Sequence, residues 1–199
     1  MAWIIGISGG TGSGKSTLAR KLQQVLGEKA TILSQDWYYH DLRHLSWEER
    51  CSVNFDDPAA VDREALTADI HRLLQGTPVD APQYDFSRHI RSTVIHPCIP
   101  GDFLIVEGLH VISLPVFSEG HGLRIFVDAP DSIRYARRLI RDIQERGRTE
   151  ESVRRQWEES VLPMHEAHVA PLLHRADVVV TGVGDSTLMA HSIRDMISQ

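Results

Sequence analysis

Apolar residues along this chain come in two recurring forms. Short unbroken runs end at a glycine or a polar residue, in the windows Trp3–Ile7, Thr31–Ser34, Asp102–Val106, Leu123–Val127 and Ala176–Val180. Runs of that length without alternation fit strands covered on both faces, the situation in a parallel sheet. Between them, apolar positions recur at helical spacing. Leu18, Leu22 and Leu26 mark a helix over Thr17–Leu26 that stops at Gly27, and Asp62–Leu74 has a similar pattern closed by Gly76. Pro130 stands where the first helical position is expected for a helix running to Gly147. A further helix starts near Thr149 and is kinked near Pro163 and Pro171, and Thr187–Ile197 closes the chain as a helix.

Two segments break the pattern. Residues 35–60 are polar and aromatic with little period, and a connection that long predicts a functional loop. Residues 77–100 carry Pro78, Pro82, Pro97 and Pro100 among short β-branched runs, which predicts a hairpin excursion. Strands alternating with helices throughout predict an α/β fold with a five-stranded, mostly parallel sheet flanked by helices. No internal repeat or linker divides the 199 residues, so residues 1–199 are expected to form a single domain.

Charge and cysteine content narrow the classes. Acidic residues exceed basic ones by 27 to 21, a net charge of −6, the wrong sign for a non-specific nucleic-acid binder. Cys51 and Cys98 make neither a disulfide framework nor a metal-binding spacing. The first residues lack a basic region before the apolar stretch, and that stretch is too short for a signal or a span. The expectation is a cytoplasmic protein with no membrane partner.

The segment Gly9-Gly10-Thr11-Gly12-Ser13-Gly14-Lys15-Ser16, followed by Thr17, matches the phosphate-loop pattern G-x-x-x-x-G-K-[ST] between a strand and a helix. Its glycines let successive backbone N–H groups turn toward phosphate oxygens, and the helix N-terminus adds its positive dipole end. Lys15 is expected to reach the β- and γ-phosphates, and Ser16 to ligate Mg²⁺. Glu107 ends a strand, where it either supports Mg²⁺ or faces solvent as a strand-end acid. Asp36 follows another strand and is either a general base toward an acceptor hydroxyl or a turn-capping aspartate. Arg134, Arg137, Arg138 and Arg141 share one helix face, with Arg146 and Arg148 beyond it. Asp142 and Glu145 are expected off that face, leaving either a solvated row or an uncompensated clamp for a transferring phosphate. The pairs His165/His168 and His40/His44 are expected at the surface rather than on a metal.

With these residues located, the chain resembles the uridine (uridine–cytidine) kinases of the phosphoribulokinase/uridine kinase group. The likeness rests on residues 5–17, the Gln-Asp-x-Tyr-Tyr element around Asp36, His-Leu-Ser-x-Glu-Glu-Arg at 44–50 and Asn-Phe-Asp-x-Pro at 54–58. It continues through Pro-x-Tyr-Asp-Phe-x-x-His-x-Arg at 82–91, Val-Glu-Gly at 106–108 and the arginine-rich run 137–148. The resemblance implies a P-loop nucleoside-triphosphate-binding fold with a helical, arginine-rich lid at about 138–156. It implies Asp36 as catalytic base beside a magnesium site of Ser16 and Glu107, and Lys15, Arg141 and Arg148 at the transferring phosphoryl group. Tyr39 then lines the acceptor site, Asp56 holds ribose hydroxyls with Gln156 nearby, and Arg138 and Arg146 meet substrate. Tyr84, Phe86 and His89 stack on and read a pyrimidine. Tyr84 and Phe86 stand at alternate positions, which puts two rings on one face of a strand. The implied reaction phosphorylates the 5′-hydroxyl of uridine, and of cytidine, with ATP (or GTP) as donor and Mg²⁺ as cofactor, in a homo-oligomeric dimer or tetramer. Another small-molecule kinase of the group, acting on pantothenate, phosphoribulose or nicotinamide riboside, is the nearest rival. A P-loop regulatory module is a further one, although no Asn-Lys-x-Asp motif for guanine is present.

Overall fold

The structure, a computed structural model, describes residues 2–118 and 122–198. Five of the expected windows become strands of one sheet: β1 (Trp3–Ser8), β2 (Ala30–Ser34), β5 (Phe103–Glu107), β6 (Leu123–Asp128) and β7 (Val178–Thr181). The excursion at 77–100 forms a separate antiparallel hairpin of β3 (Val79–Asp85) and β4 (Ile90–Cys98). The sheet runs in the order β2-β5-β1-β6-β7, and every neighbouring pair is parallel. Side chains alternate across each strand. Ile4, Leu33, Leu104 and Val106 pack on one face against α3 (Arg63–Leu74) and the hairpin. Ile5, Ile7, Ile105 and Ile125 pack on the other, against α1 (Lys15–Leu26) and the C-terminal helix Ser186–Ile197. Covering both faces is what the unbroken apolar runs required.

The parallel register decides which residues meet at the carboxyl edge. Ile7 and Ser34 both lie level with Glu107, so the strand ends preceding the phosphate loop, Asp36 and Gly108 open side by side. Such an edge, where the chain passes from β1 outward in both directions, is where open α/β sheets bind ligands.

Several boundaries differ from expectation for local reasons. Segment 35–60 is not an aperiodic loop. It holds a tight turn at Gln35–Tyr38, the short helix α2 (Trp47–Ser52) and another turn at Pro58–Ala60. A capping box starts α2: Ser46 Oγ accepts from the Glu49 N–H, and the Glu49 carboxylate accepts from the Ser46 N–H. Pro130 is the N-cap of α4 (Asp131–Arg146) rather than its first residue; with ψ 144° it is extended, and its carbonyl accepts from Ile133 and Arg134. Gly147, at φ 64°, ends α4 in a left-handed turn that a side chain would strain. After α5 (Glu150–Gln156), the helix continues through widened turns at Trp157–Val161 and His165–Val169 on either side of Pro163. Proline has no N–H to donate, and the ladder widens around the missing bond. No helix among the described residues is long and apolar enough to cross a membrane.

Candidate active site

The phosphate loop leaves β1 at Ser8 and closes into α1 through Gly14 (φ 104°). Gly10 is a glycine for want of room: a Cβ there would lie 2.4 Å from Arg134 Nη1. Lys15 is 8% exposed and lines a narrow cleft together with Thr11, Asp36 and Arg138. Beside it, Ser16 Oγ donates to Glu107 Oε2 at 3.0 Å and Ser34 Oγ donates to Glu107 Oε1 at 2.6 Å. Burial pushes the Glu107 carboxyl above its ordinary range, and Lys15 pulls it back down. Asp36 lines the same cleft, and the capping role is taken by Ser34, whose Oγ accepts from the Asp36 N–H at 3.3 Å. Ser16, Glu107 and Asp36 thus present one hydroxyl and two carboxylates next to a phosphate cradle. That donor set fits Mg²⁺, which binds through one or two carboxylates and fills its remaining positions with water and substrate phosphate.

Tyr39, Asp56 and His89 line the same cleft as Lys15. Tyr39 donates to the Phe55 carbonyl at 2.9 Å, and burial keeps its hydroxyl protonated, far above its ordinary pKa. Asp56 is buried against Arg138, whose Nη1 lies 3.3 Å from each carboxylate oxygen and 3.2 Å from Thr11 Oγ1. Gln156 Oε1 accepts from both Arg138 Nη2 at 2.8 Å and Arg148 Nη1 at 2.9 Å, joining the ends of the predicted lid. His89 is the one non-glycine residue with positive φ (53°) among the described residues, and it lies 4.9 Å from the Phe55 ring and 5.7 Å from that of Trp47. Burial, with Arg148 and Arg146 nearby, lowers its pKa to about 4, so the ring is neutral at pH 7 and its buried Nδ1 has no partner among the described residues. Phe86 lies under the Arg146 guanidinium at 4.3 Å.

Three sequence expectations need correction here. Tyr84 does not line the central cleft. It is buried against Tyr39 (5.4 Å) and Phe86 (5.2 Å), and with Phe86 it lines a neighbouring groove beside Arg146. Apart from Arg137, which is exposed, the arginine row is neither solvated nor uncompensated. Arg134 is 1% exposed between Gly10 and the Trp157 ring, and Asp142, expected off the face, is buried among Arg138, Arg141 and Arg146. His165 is half-buried rather than at the surface, whereas His40, His44 and His168 are exposed. Thr17 lies in a neighbouring groove with Gly14, Gly182 and Met189. There Arg137 donates to the Gly182 carbonyl at 2.9 Å and to those of Gly12 and Ser13 at 3.3 Å each. Ser34, Phe55, Leu109 and Asp142 belong to the site although the sequence reading assigns none of them to the cleft. Of these, Asp142 carried a usable signal, because its position four residues after Arg138 and four before Arg146 is ion-pair spacing on a helix.

A parallel sheet in this order, with a phosphate loop at its centre and arginines closing over it, defines a P-loop kinase fold. The Phosphoribulokinase / Uridine kinase family model matches residues 4–189, and the chain belongs to that family. It is 40% identical to a uridine kinase of Geobacillus kaustophilus (strain HTA426), over 98% of this chain and 95% of that one. It is likewise 40% identical to a uridine kinase of Deinococcus deserti, over 98% and 93% respectively. Among solved structures, a shikimate kinase from Bacteroides thetaiotaomicron shares the fold with a TM-score of 0.55, covering 99% of both chains at 15% identity.

Proposed function

We propose that this protein transfers the γ-phosphoryl group of ATP to the 5′-hydroxyl of uridine, and of cytidine, as a single kinase domain over residues 1–199. The observation that carries this reading is that Lys15, Asp36 and the arginines 138, 141, 146 and 148 line one cleft, in a chain 40% identical to uridine kinases over nearly its whole length. Phosphoryl transfer needs little covalent help from the protein, so its work is positioning and charge neutralisation.

In this reading the phosphate loop and Lys15 hold the donor's phosphates. The adjoining groove at Arg137 and Gly182 receives its base, adenine or guanine. Ser16, Glu107 and Asp36 hold Mg²⁺, which supplies charge neutralisation on the phosphates when bound. Asp36 takes the proton of the acceptor hydroxyl. Asp56, Arg138 and Gln156 hold the ribose, including its 2′-hydroxyl, and neutral His89 with Phe86 meets the pyrimidine. Arg141, Arg146 and Arg148 face the charge that moves with the phosphoryl group. A cytoplasmic location and assembly into a homo-oligomer, a dimer or a tetramer, belong to the same reading; sedimentation tests the assembly.

An acceptor panel with ATP and Mg²⁺, read as nucleoside-dependent ADP release, tests the assignment. Uridine and cytidine are expected to turn over, with thymidine, deoxycytidine and purine nucleosides poor, because a lost 2′-hydroxyl leaves buried polar groups unpaired. Equal turnover of deoxycytidine and cytidine, or activity on pantothenate with none on uridine, overturns it.

A further inference from the structure

Asp142 is wholly buried, with 0% exposure, in α4 among Arg138, Arg141 and Arg146 of the same helix. Its Oδ1 accepts from Arg141 Nε at 2.9 Å and also lies 2.8 Å from Arg141 Nη2 and 3.4 Å from Arg146 Nη1. Its Oδ2 lies 3.4 Å from Arg138 Nε. The backbone carbonyl of the same residue accepts from the Arg148 N–H at 3.1 Å and from the N–H of Gly147. One residue therefore touches all four arginines that line the cleft, three through its carboxylate and the fourth through its backbone.

Burying a carboxylate is expensive, and ion pairs in the interior often return no net stability. Here burial raises the acid's pKa, but Arg141, Arg138 and Arg146 together more than reverse that and hold it below the ordinary carboxylate range. The carboxylate engages Arg141 through Nε and Nη2 and Arg146 through Nη1, and both arginines line the cleft. The arginines also differ in how far they depend on it. Arg138 has further anchors in Thr11, Asp56 and Gln156, and Arg148 has Gln156. Arg141 bonds its side chain to Asp142, and Arg146 has Asp142 and the face of Phe86.

From this geometry we propose that Asp142 is a positioning residue for phosphoryl transfer: it aims Arg141 and Arg146 at the transferring group without itself touching substrate. The inference rests on the functional reading above, in which those two arginines meet the phosphoryl group. It separates two quantities that a merely structural ion pair would move together. Loss of the Asp142 charge should disorder Arg141 and Arg146 while the ribose-binding set Asp56, Arg138 and Gln156 stays in place.

The test is steady-state kinetics of Asp142→Asn, alone and combined with Arg141→Gln, on protein whose folded fraction is measured by thermal unfolding. Asparagine keeps the shape, removes the charge and turns N–H donors toward a guanidinium. The expected result is a fall in kcat of about 10²-fold, the scale of a misplacement near 1 Å, with uridine KM changed by less than about threefold. The double variant should lose less than the product of the two single losses, because the two changes share the Asp142–Arg141 contact while the Arg146 contact is lost only through Asp142. An unchanged kcat, KM rising in step with the loss of kcat, or multiplying losses in the double variant overturns the proposal. If Asp142→Asn does not fold, Asp142→Glu, which keeps the charge, is measured in its place. If neither folds, the residue serves the fold and the proposal fails. Wild-type protein idle on every nucleoside overturns the functional reading and this proposal with it, whereas active wild type with a normal Asp142→Asn variant overturns this proposal alone.

Discussion

Lys15 and Asp36 show how the cleft is charged. A mostly buried ammonium is costly unless an anion meets it, and Glu107, the acid that acts on Lys15, already accepts from the Ser16 and Ser34 hydroxyls, so Lys15 is suited to a phosphate. Asp36 stands at the first turn after β2 with Ser34 doing the capping, so its carboxylate is left for chemistry. Asp36→Asn is nearly isosteric; it should lower kcat by roughly 10²–10⁴-fold with nucleoside binding little changed, the usual share of a general base. Loss of affinity with kcat preserved would make Asp36 a binding residue instead. Tyr84 gives a prediction of opposite sign. Its hydroxyl is buried without a partner among the described residues, and such a group costs about 1–3 kcal/mol. Tyr84→Phe should therefore raise the melting temperature and leave the uridine-to-cytidine ratio unchanged. A lower melting temperature, or a shifted ratio, contradicts the placement of Tyr84 outside the cleft.

At the scale of elements, the short helix α2 stands out. Six residues cannot sustain a helix by propensity, so α2 depends on its capping box and on the packing of Trp47 against His89. Arg50 ties it down further, donating to the carbonyls of Leu45 at 2.9 Å and Arg43 at 3.0 Å. The helix thus forms an outer wall for the His89 ring. Ser46→Ala removes a cap worth about 1 kcal/mol, which corresponds to about a fivefold rise in nucleoside KM if α2 must be formed to bind. The kcat and the ATP KM should hold. A uridine KM equal to that of wild type, measured by the same ADP-release assay, separates α2 from nucleoside binding.

Across the whole molecule, burial of neutral histidines ties stability to pH. His110 is 4% exposed, and burial, Arg63 and His168 lower its pKa to about 3; His89 and His165 are lowered to about 4. Each takes up a proton in the unfolded chain near the ordinary value of 6.5 but resists it when folded. Their contribution is therefore complete above pH 6.5 and is lost as pH falls toward the folded values. The melting temperature should decline between pH 7 and pH 5, and His110→Asn should flatten that slope whatever it does to stability at pH 7. A slope identical to wild type in this variant would show that His110 carries no such linkage.

The phosphate loop, the strand windows and the arginine spacing follow from local rules, and the sequence alone determined them. Gly9, Gly10, Gly12 and Gly14 ahead of Lys15-Ser16 predict a tight turn into a helix, and unbroken apolar windows of four or five residues predict cover on both faces. Even the capping box and the spacing of Asp142 between Arg138 and Arg146 were present as local signals. What local rules could not supply was the pairing of distant segments. Glu107 stands between Ser16 and Ser34 because two parallel registers place it there, and neither register is encoded in any short stretch of chain. The burial of Tyr84 against Tyr39 and Phe86 depends on how the hairpin packs over α3 and the turn after β2. The arginine row becomes a compensated cluster only when α4 lies against the phosphate loop and α5, where Gln156 and Asp56 reach it. Charge in a helix row is set by spacing along the chain, but the direction each guanidinium faces is set by burial, and burial is a property of the assembled fold alone.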